Sequence, residues 1–523
     1  MNTIAGPTAA CATPPIPKPA VVALLGAFVV NLTGQFASTN LADIQGGIGA
    51  SADEASWLTT VYTIASFAGV ILSPVVLRGF GLRRYFIVNA ALLAVCAGVG
   101  AFAGDLATLL FARSVQGLAA GAFGPMAFAA IFILCKGRQL AWGVAWLAFV
   151  LLVSVNAGPT LSAHVEDVLG WRGLYVVQLW TGVALLWVGR MALPKAPFNR
   201  DALKSHWPAT ALLVVATGAT ALAISQGTRR FWLESPTIAW SISIALGAWI
   251  GFAIVQRLGT PRILDTGKLV ERAFGLPILL NLIFRASFAA TVYLVPLLLA
   301  QTQGYRPLQT AQALWWCLLP QVAAFPLAWG LAYRLDGRLP ILAGLLLVAL
   351  GIGLAAQSSS AVAGIQLRAS LVLIGIGQML FLVPTLLAGA LPLKPQDGPT
   401  ATIAFNLTTI GGTTLGTGLL SHLTVERQKL HSNVLVEHVS WLDSAVTDRI
   451  AALISVTSSR LADDAANQAA VLQLGALVRR EAWLLAVNDA FALLAIVMAG
   501  VGVAVAFMNP VPPLSRLTQG VTS

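Results

Sequence analysis

The chain has 523 residues, of which 57% are hydrophobic and 10% are charged, and its formal net charge is +11. A soluble domain carries about 25% charged residues, so this composition excludes an ordinary water-soluble fold and favours a protein embedded in a bilayer. Four cysteines without paired spacing and five histidines without ligand spacing predict neither a disulfide framework nor a metal site.

The first 19 residues are a Pro-, Ala- and Thr-rich tail without a secretory signal, so we expect a cytoplasmic tail that leads into the first membrane helix. Fourteen apolar segments follow, and each is close to the length of about 20 residues that crosses a bilayer. We call them spans 1 to 14. They lie near 20–42, 57–77, 85–103, 107–134, 140–161, 174–193, 208–225, 237–256, 275–300, 309–332, 340–356, 364–392, 400–424 and 483–508.

Lys and Arg residues set the predicted orientation of these spans. With the N-terminus in the cytoplasm, the inner connections hold eighteen basic residues and the short outer ones hold five. The positive-inside rule therefore places both termini in the cytoplasm. The basic residues are spread over many connections and are not interleaved with stacking aromatic residues, so nucleic acid is not an expected partner.

Residues 425–482 form the longest connection, on the outer side in this topology. Hydrophobic residues recur there at helical spacing, which predicts amphipathic helices lying over the outer face. The positions are Leu430, Val434, Trp441, Leu442, Val446, Ile450 and Leu453, then Leu461, Ala465, Leu472 and Leu477. Such helices would form either a lid on the protein itself or a docking surface for a partner.

Several stretches carry motifs whose order and spacing match one family. They are LLFARSVQGLAAG from residue 109, SVNAGPTLSA from 154, GWRGLYVVQLWTG from 170, QTQGYRPLQTAQALWWCLLP from 301, IAFNLTTIGGTTLG from 403 and RREAWLLAVNDAFALL from 479. Together with the number of spans, they resemble the major facilitator superfamily, in particular its fourteen-helix drug:proton antiporter branch (EmrB/QacA-like). The resemblance covers roughly residues 20 to 508.

The loop after span 2, SPVVLRGFGLRRYF, departs from the family pattern. Arg78 stands where the family has an aspartate, which puts the inner gate latch of this motif in doubt. Span 1 also differs, because Thr33 stands where the branch carries an embedded aspartate. The gating and conformational residues that the resemblance implies are Arg78, Gly81, Arg83, Arg84, Gly158 and Pro159.

Two arginines lie inside predicted spans, Arg113 in span 4 and Arg285 in span 9. A charge at that depth costs several kcal/mol unless it faces a partner or a water-filled cavity, so we expect a cavity with positive potential that favours anionic substrates. The alternative for Arg113 is a structural arginine that caps carbonyls or snorkels outward, and the alternative for Arg285 is a packing role. The expected cavity residues are Asn31, Gln35, Arg113, Gln116, Asn281, Arg285, Gln321, Gln378 and Asn406.

An antiporter needs a group that binds and releases a proton, and carboxylates are the usual choice. Two carboxylates lie at plausible depth, Asp43 at the outer end of span 1 and Asp489 in span 14. We favour Asp43 with Arg113 as the coupling pair. The alternative for Asp489 is a tie between span 14 and the segment 425–482.

The resemblance implies an all-α integral membrane protein with the major facilitator fold, arranged as six, two and six transmembrane helices. The expected division is a tail at 1–19, a first half at 20–193, a linker with an extra helix pair at 194–272, and a second half at 273–523 that includes segment 425–482. It also implies location in the inner membrane of a bacterium. In double-membrane bacteria, it implies a periplasmic adaptor and an outer-membrane channel as partners.

The implied function is proton-coupled export of amphipathic small molecules by alternating access between the two halves. Two alternatives stay open, namely a dedicated exporter of one endogenous metabolite or anion, and a transporter-like subunit that does not transport. The sequence has no P-loop, GxSxG or HExxH motif, so we expect neither an enzyme nor direct use of ATP. No cofactor is expected besides the proton gradient.

Overall fold

The computed structural model describes residues 15–203, 207–258, 263–394, 397–439, 443–457 and 463–519. These residues form helices and contain no strand, which confirms the predicted all-α fold. The α-helices are α1 Lys18–Gly34, α2 Phe36–Thr39, α3 Leu41–Ile48, α4 Ala52–Phe102, α5 Leu106–Gly121, α6 Phe123–Leu134, α7 Arg138–Ala192, α8 Trp207–Gln226, α9 Pro236–Leu258, α10 Thr266–Val270, α11 Arg272–Arg285, α12 Val295–Gln303, α13 Pro307–Ala323, α14 Phe325–Arg334, α15 Arg338–Ala355, α16 Arg368–Ala390, α17 Gly398–Glu437, α18 Ser444–Thr457, α19 Asp463–Val505 and α20 Leu514–Gln519. A π-turn lies at Ala290–Leu294, and 3-10 turns lie at Asp201–Leu203, Trp232–Glu234 and Gly364–Leu367.

Eleven helical stretches of the described residues are long and apolar enough to cross a membrane. Two of them, α4 and α7, are more than 50 residues long, and each is interrupted by one glycine with non-helical torsion angles. At 1.5 Å per residue α4 would be about 77 Å long if straight, far more than the hydrocarbon core of about 30 Å. Positive φ angles of 76° at Gly81 and 67° at Gly170 let each stretch turn. The total of fourteen spans and the cytoplasmic termini stay predictions.

Helices pack closely where glycines face a neighbouring backbone. A Cβ atom added at Gly121 of α5 would lie 2.1 Å from the carbonyl oxygen of Ser66 in α4. In the second half, a Cβ atom at Gly377 of α16 would lie 2.6 Å from the carbonyl oxygen of Gly344 in α15. The absence of a side chain therefore permits these approaches, as is common between membrane helices.

The two halves meet at the predicted inner end through aromatic side chains. Trp142 of α7 packs on Trp329 of α14 with ring centroids 4.7 Å apart, and Phe149 packs on Phe325 at 5.0 Å. The ring of Phe128 in α6 lies 5.5 Å from that of Phe405 in α17. These contacts close the molecule at that end.

The outer segment differs from the prediction. Residues 425–437 continue α17 and residues 463–482 belong to α19, so neither is a separate helix lying over the outer face. Extending an existing helix adds one hydrogen bond per residue, whereas starting a new helix is costly, and no proline interrupts either extension. Only α18 is separate, and it packs against α19 with Ile450 buried. Trp441, Leu442 and Leu461 of the predicted pattern lie outside the described residues.

Candidate functional site

A cavity of about 420 Å³ lies between the two halves. Its wall includes α1, α4, α5 and α7 of the first half, α17 of the second, and Ser225 of α8. It extends toward the predicted outer end of the bundle, where Ser38, Thr59 and Ser421 line it. With the aromatic contacts at the opposite end, the cavity has its access on one side.

Arg113 is held in the cavity wall by the first half. It is 1% exposed, and its guanidinium lies 4.0 Å from the centre of the Tyr62 ring. Nη1 donates a hydrogen bond to Oε1 of Gln116 at 3.2 Å, and Nη2 donates to the carbonyl oxygen of Gly34 at 3.5 Å. Helix α1 ends at Gly34, where the carbonyls of a last turn lack intrahelical partners and accept such bonds.

A second layer orients Gln116. Its Nε2 donates to Oε1 of Gln178 at 3.2 Å, and Nε2 of Gln178 donates to the carbonyl oxygen of Thr33 at 2.9 Å. Gln116 thus lies behind Arg113 and not among the residues that line the cavity, which corrects its predicted place. The reason is that Gln178 of α7 accepts the hydrogen bond from the Gln116 amide. The spacing of residues within α5 does not reveal this partner on another helix.

Arg285 has far fewer partners. It is fully buried, and its Nη1 donates to the carbonyl oxygen of Leu151 at 3.4 Å, while the Phe288 ring centre lies 5.2 Å away. Its Nε and Nη2 atoms have no hydrogen-bond partner among the described residues. Helix α11 ends at Arg285, and this end places the side chain in the cavity wall.

Three further predicted residues, Asn31, Gln35 and Asn406, line the same cavity. Asn281 instead donates from Nδ2 to Oγ1 of Thr408 at 2.9 Å and lines a small adjoining pocket.

The prediction for Gln321 and Gln378 is corrected by the structure. Both are fully buried away from the cavity wall, and Nε2 of Gln321 donates to Oε1 of Gln378 at 2.8 Å. Asn156 of α7 donates from Nδ2 to the same oxygen at 3.0 Å, and its own Oδ1 accepts from Thr291 at 2.9 Å. These hydrogen bonds join α7, α13 and α16 and leave the cavity to other side chains, and Nε2 of Gln378 has no partner among the described residues.

Neither candidate proton carrier lies in the cavity wall. Oδ2 of Asp489 accepts hydrogen bonds from Nε of Arg427 at 2.5 Å and from Nε2 of His431 at 2.8 Å. This carboxylate therefore ties α19 to the extension of α17, which was the alternative considered for it. Asp43 lies on α3, which begins after the non-helical residue Asn40, and it follows Ser38, the lining residue at the predicted outer rim of the cavity, by five residues. Within the part of the chain that the structure describes, Arg113 has no carboxylate within 4 Å, so the expected pair is not formed.

A row of hydroxyl groups on α17 was not expected. Thr409, Thr413, Thr417 and Ser421 recur every four residues and all line the cavity. The threonine hydroxyls donate to carbonyls one turn earlier, for example Thr413 to Thr409 at 3.0 Å, so their oxygens remain free to accept. The four-residue spacing in the sequence was the signal for this row.

The predicted gating residues lie at the inner end of the first half and in α7. Arg78 donates from Nε to the carbonyl oxygen of Pro74 at 3.1 Å, Arg83 donates to that of Arg190 at 2.6 Å, and Arg84 is exposed.

In α7, a Cβ atom added at Gly158 would lie 2.7 Å from the carbonyl oxygen of Leu32. The helix remains continuous through Pro159, and its non-helical residue is Gly170. Gly158 and Pro159, expected to be conformational residues, therefore do not interrupt the helix, and Gly158 permits close contact with α1.

Residues 23–418 match the family described as the Major Facilitator Superfamily. The chain belongs to this superfamily. It is thus a multi-pass membrane protein of a transporter family, and the match confirms the resemblance on which the predicted fold was based. Both buried arginines and most of α17 fall within the matched residues.

Relatives of this superfamily member carry multidrug names. Multidrug resistance protein Stp of Mycobacterium tuberculosis (strain CDC 1551 / Oshkosh) is 26% identical over 360 residues, which cover 68% of this chain and 64% of Stp. Multidrug export protein EmrB of Haemophilus influenzae is 22% identical over 439 residues, covering 82% of this chain and 85% of EmrB. The chain therefore matches somewhat less than two thirds of Stp and most of EmrB, and both support the predicted drug:proton antiporter branch.

Two solved structures share the fold. The human organic anion transporter MFSD10 (TETRAN) superposes with a TM-score of 0.59 at 12% identity, covering 93% of this chain and 99% of that one. The proton:xylose symporter XylE superposes with a TM-score of 0.55 at 12% identity, covering 96% and 98%. At this identity the likeness shows the major facilitator fold alone.

Proposed function

We propose that this major facilitator protein is a proton-coupled secondary active exporter of amphipathic small molecules in the inner membrane of a bacterium. The observation that carries the proposal is the 420 Å³ cavity between the halves, with access from one end and aromatic contacts closing the other. This shape is what alternating access requires of one of its states. The multidrug names of the relatives support the substrate class.

The first experiment measures transport by the full chain in proteoliposomes. A fluorescent amphipathic compound is followed across the membrane with and without an imposed pH gradient. Gradient-dependent movement supports the proposal. Binding without movement under any gradient would favour a subunit that does not transport.

The proton step needs its own test, because the described cavity wall contains no carboxylate. We propose that Asp43, at the rim, carries the proton and that Asp489 is structural. Substrate-induced proton release is compared in wild type, Asp43→Asn and Asp489→Asn. We expect loss of coupling only in Asp43→Asn. A wild-type ratio of protons to substrate in that variant would remove Asp43 as the carrier.

A periplasmic adaptor is proposed as a partner on the predicted outer side. Support comes from α17, α18 and α19, which carry residues 425–437, 444–457 and 463–482 outside the predicted spans. Cysteines introduced at Ser432 and at Lys204, the latter outside the described residues, should label from opposite sides of the membrane. Labelling from one side would contradict the fourteen-span topology and the adaptor proposal together.

The second candidate function is dedicated export of one metabolite or anion. Arg113 and Arg285, both in the cavity wall, favour it. A panel of chemically unrelated substrates separates the candidates, since a dedicated exporter moves one compound and a multidrug exporter moves many.

A further inference from the structure

The two cavity arginines are both buried, and both have N–H groups without a hydrogen-bond partner among the described residues. Arg113 comes from the first half and Arg285 from the second, both line one cavity, and both are at least nine-tenths buried. Both also retain N–H groups without a partner among the described residues, namely Nε of Arg113 and both Nε and Nη2 of Arg285. A buried polar N–H without a partner costs about 1–3 kcal/mol, and more when the group is charged.

The surroundings do not compensate this charge. The described lining of the cavity contains no Asp or Glu, and its polar groups are hydroxyls, amides and the two guanidinium groups. Buried charges in proteins are normally paired with an opposite charge. No described side chain of the cavity wall therefore neutralises the two guanidinium groups.

The free atoms of Arg285 also have a defined geometry. Nε and Nη2 form one edge of the planar guanidinium, and that edge presents two parallel N–H donors. Two parallel donors match the two oxygens of a carboxylate, or two oxygens of a sulfonate or phosphate. Nη1, on the other side, is already bonded to the carbonyl oxygen of Leu151 and fixes the orientation of the group.

The rest of the wall suits the body of an amphipathic molecule. Tyr62, Tyr293 and Ile410 offer aromatic and apolar surface, and the hydroxyl row of α17 offers acceptors. A volume of about 420 Å³ is in the range of cavities that hold drug-sized ligands.

We propose that the cavity binds amphipathic organic anions, with the acidic group held by the free edge of Arg285 and by Arg113. This assignment rests on the proposed export function and names its substrate class. Because each half supplies one arginine, the anion bridges the two halves. The expected ligands share an acidic head group that is attached to an aromatic or alkyl body.

The test uses three probes with the same dansyl fluorophore and a similar alkyl chain. N-dansyl-6-aminohexanoic acid is an anion, its primary amide is neutral, and dansylcadaverine is a cation. Binding is measured by fluorescence titration of the purified full chain. Wild type should bind the carboxylate at least tenfold more tightly than the amide, and the cation more weakly than the amide.

Variants locate the site. Arg285→Gln and Arg113→Gln should each bring the carboxylate-to-amide ratio close to one. Arg172→Gln is the matched control, because Arg172 lies on α7 outside the cavity wall and loses the same charge. If a Gln variant does not fold, Arg285→Lys keeps the charge but lacks the two-donor edge, and its ratio should fall at least threefold. An unchanged ratio in Arg285→Lys would overturn the proposed edge.

Transport of the same probes in proteoliposomes separates the two proposals. Export of all three probes with equal affinity would overturn the anion site and leave the proposed exporter standing. Selective, arginine-dependent binding of the carboxylate without export of any probe would support the anion site and overturn the exporter. Selective binding with selective export supports both.

Discussion

The two halves of the molecule hold their cavity arginines in opposite ways. The first half surrounds Arg113 with the Tyr62 ring, Gln116 and the carbonyl oxygen of Gly34. Arg285 of the second half has one carbonyl contact, at 3.4 Å to Leu151 of the first half, and the centre of the Phe288 ring lies 5.2 Å away. Arg113 is therefore oriented before a ligand arrives, whereas Arg285 gains most of its partners from the ligand.

The inner loops of the two halves differ in the opposite sense, because here the second half has the additional side-chain hydrogen bonds. In the first half, Arg78 replaces the family aspartate, and the loop is tied by a backbone hydrogen bond from Asn199 to Gly79 at 2.9 Å. In the second half, Asp336 forms an ion pair with Arg338 at 3.1 Å and accepts a hydrogen bond from the amide of Val511. A chain segment outside the bundle thus secures each loop. Both loops have a backbone hydrogen bond to that segment, from Asn199 to Gly79 and from Gly337 to Val511, and the Asp336 carboxylate adds a further bond in the second half.

This contrast indicates a division of tasks. Among the described residues, the first half gives its cavity arginine more hydrogen bonds, and the second half adds a carboxylate to its inner loop. We expect the first half to set the geometry of the site and the second half to respond to the bound molecule. Stability and binding should therefore change differently when matched residues of the two halves are replaced.

The largest effect should come from replacing the two arginines with methionine. Arg113→Met leaves Gln116 and the carbonyl oxygen of Gly34 without a donor, and each buried loss costs about 1–3 kcal/mol. Arg285→Met removes a buried charge whose Nε and Nη2 atoms have no partner among the described residues, so we expect it to be neutral or stabilising. Thermal unfolding in detergent, followed by tryptophan fluorescence, should show a lower midpoint for Arg113→Met and an unchanged or higher midpoint for Arg285→Met. Equal destabilisation, with Arg172→Met unchanged, would contradict the comparison.

A smaller effect is expected from the layer behind Arg113. Gln178→Leu removes one partner each from Gln116 and from the carbonyl oxygen of Thr33, at a cost of about 1–3 kcal/mol. The arginine charge stays but loses its orientation, so carboxylate-probe affinity should fall several-fold. Gln321→Leu is the matched control, since it disrupts a buried amide pair outside the cavity and should lower stability without lowering this affinity. Equal affinity losses in both variants would argue against a specific support for Arg113.

At the inner loop of the second half, Asp336→Asn should destabilise by about 1 kcal/mol, because the ion pair is partly exposed. The expected change is local release of the C-terminal segment around Val511. A spin label at Asn509→Cys should become more mobile in this variant. Asp105→Asn, a helix N-cap at the predicted outer end, should leave the label unchanged. Equal mobility in the wild type and Asp336→Asn would show that the segment is held without the Asp336 carboxylate, with the backbone hydrogen bond from Gly337 to Val511 still in place.

The smallest effect concerns pH. Partial burial would raise the pKa of Asp336, but hydrogen bonds from Arg338 and Val511 outweigh it and hold the pKa below the ordinary value of 3.8. Because the pKa of Asp336 is lower in the folded protein than in the unfolded chain, its charged carboxylate stabilises the folded protein at any pH above 3.8. This stabilisation is lost as the pH falls through the folded-state pKa. The Asn509→Cys label should therefore keep its mobility from pH 7 to pH 5. An increase in label mobility between pH 7 and pH 5 would show that a group other than Asp336 holds the C-terminal segment.

Much of the fold could be predicted from the sequence, because membrane spans are encoded locally. Apolar length, the placement of Lys and Arg, and the order of family motifs led to the all-α major facilitator fold. The inward-facing charge of Arg113 and Arg285 was also predictable, since an arginine within an apolar span needs a polar environment. These properties depend on composition and spacing within single segments.

Only the tertiary structure decided which polar residues share the cavity. Gln116, Gln321 and Gln378 resemble lining residues in sequence, yet amides on other helices bind them away from the cavity wall. The free edge of Arg285 exists because no described residue brings a hydrogen-bond acceptor to its Nε and Nη2 atoms. Whether a buried polar group is satisfied or free depends on partners distant in the chain, as for Gln116 and Gln178, which are 62 residues apart. Periodicity within one helix contains no information about such partners, because it fixes the face of a side chain and not what packs against it.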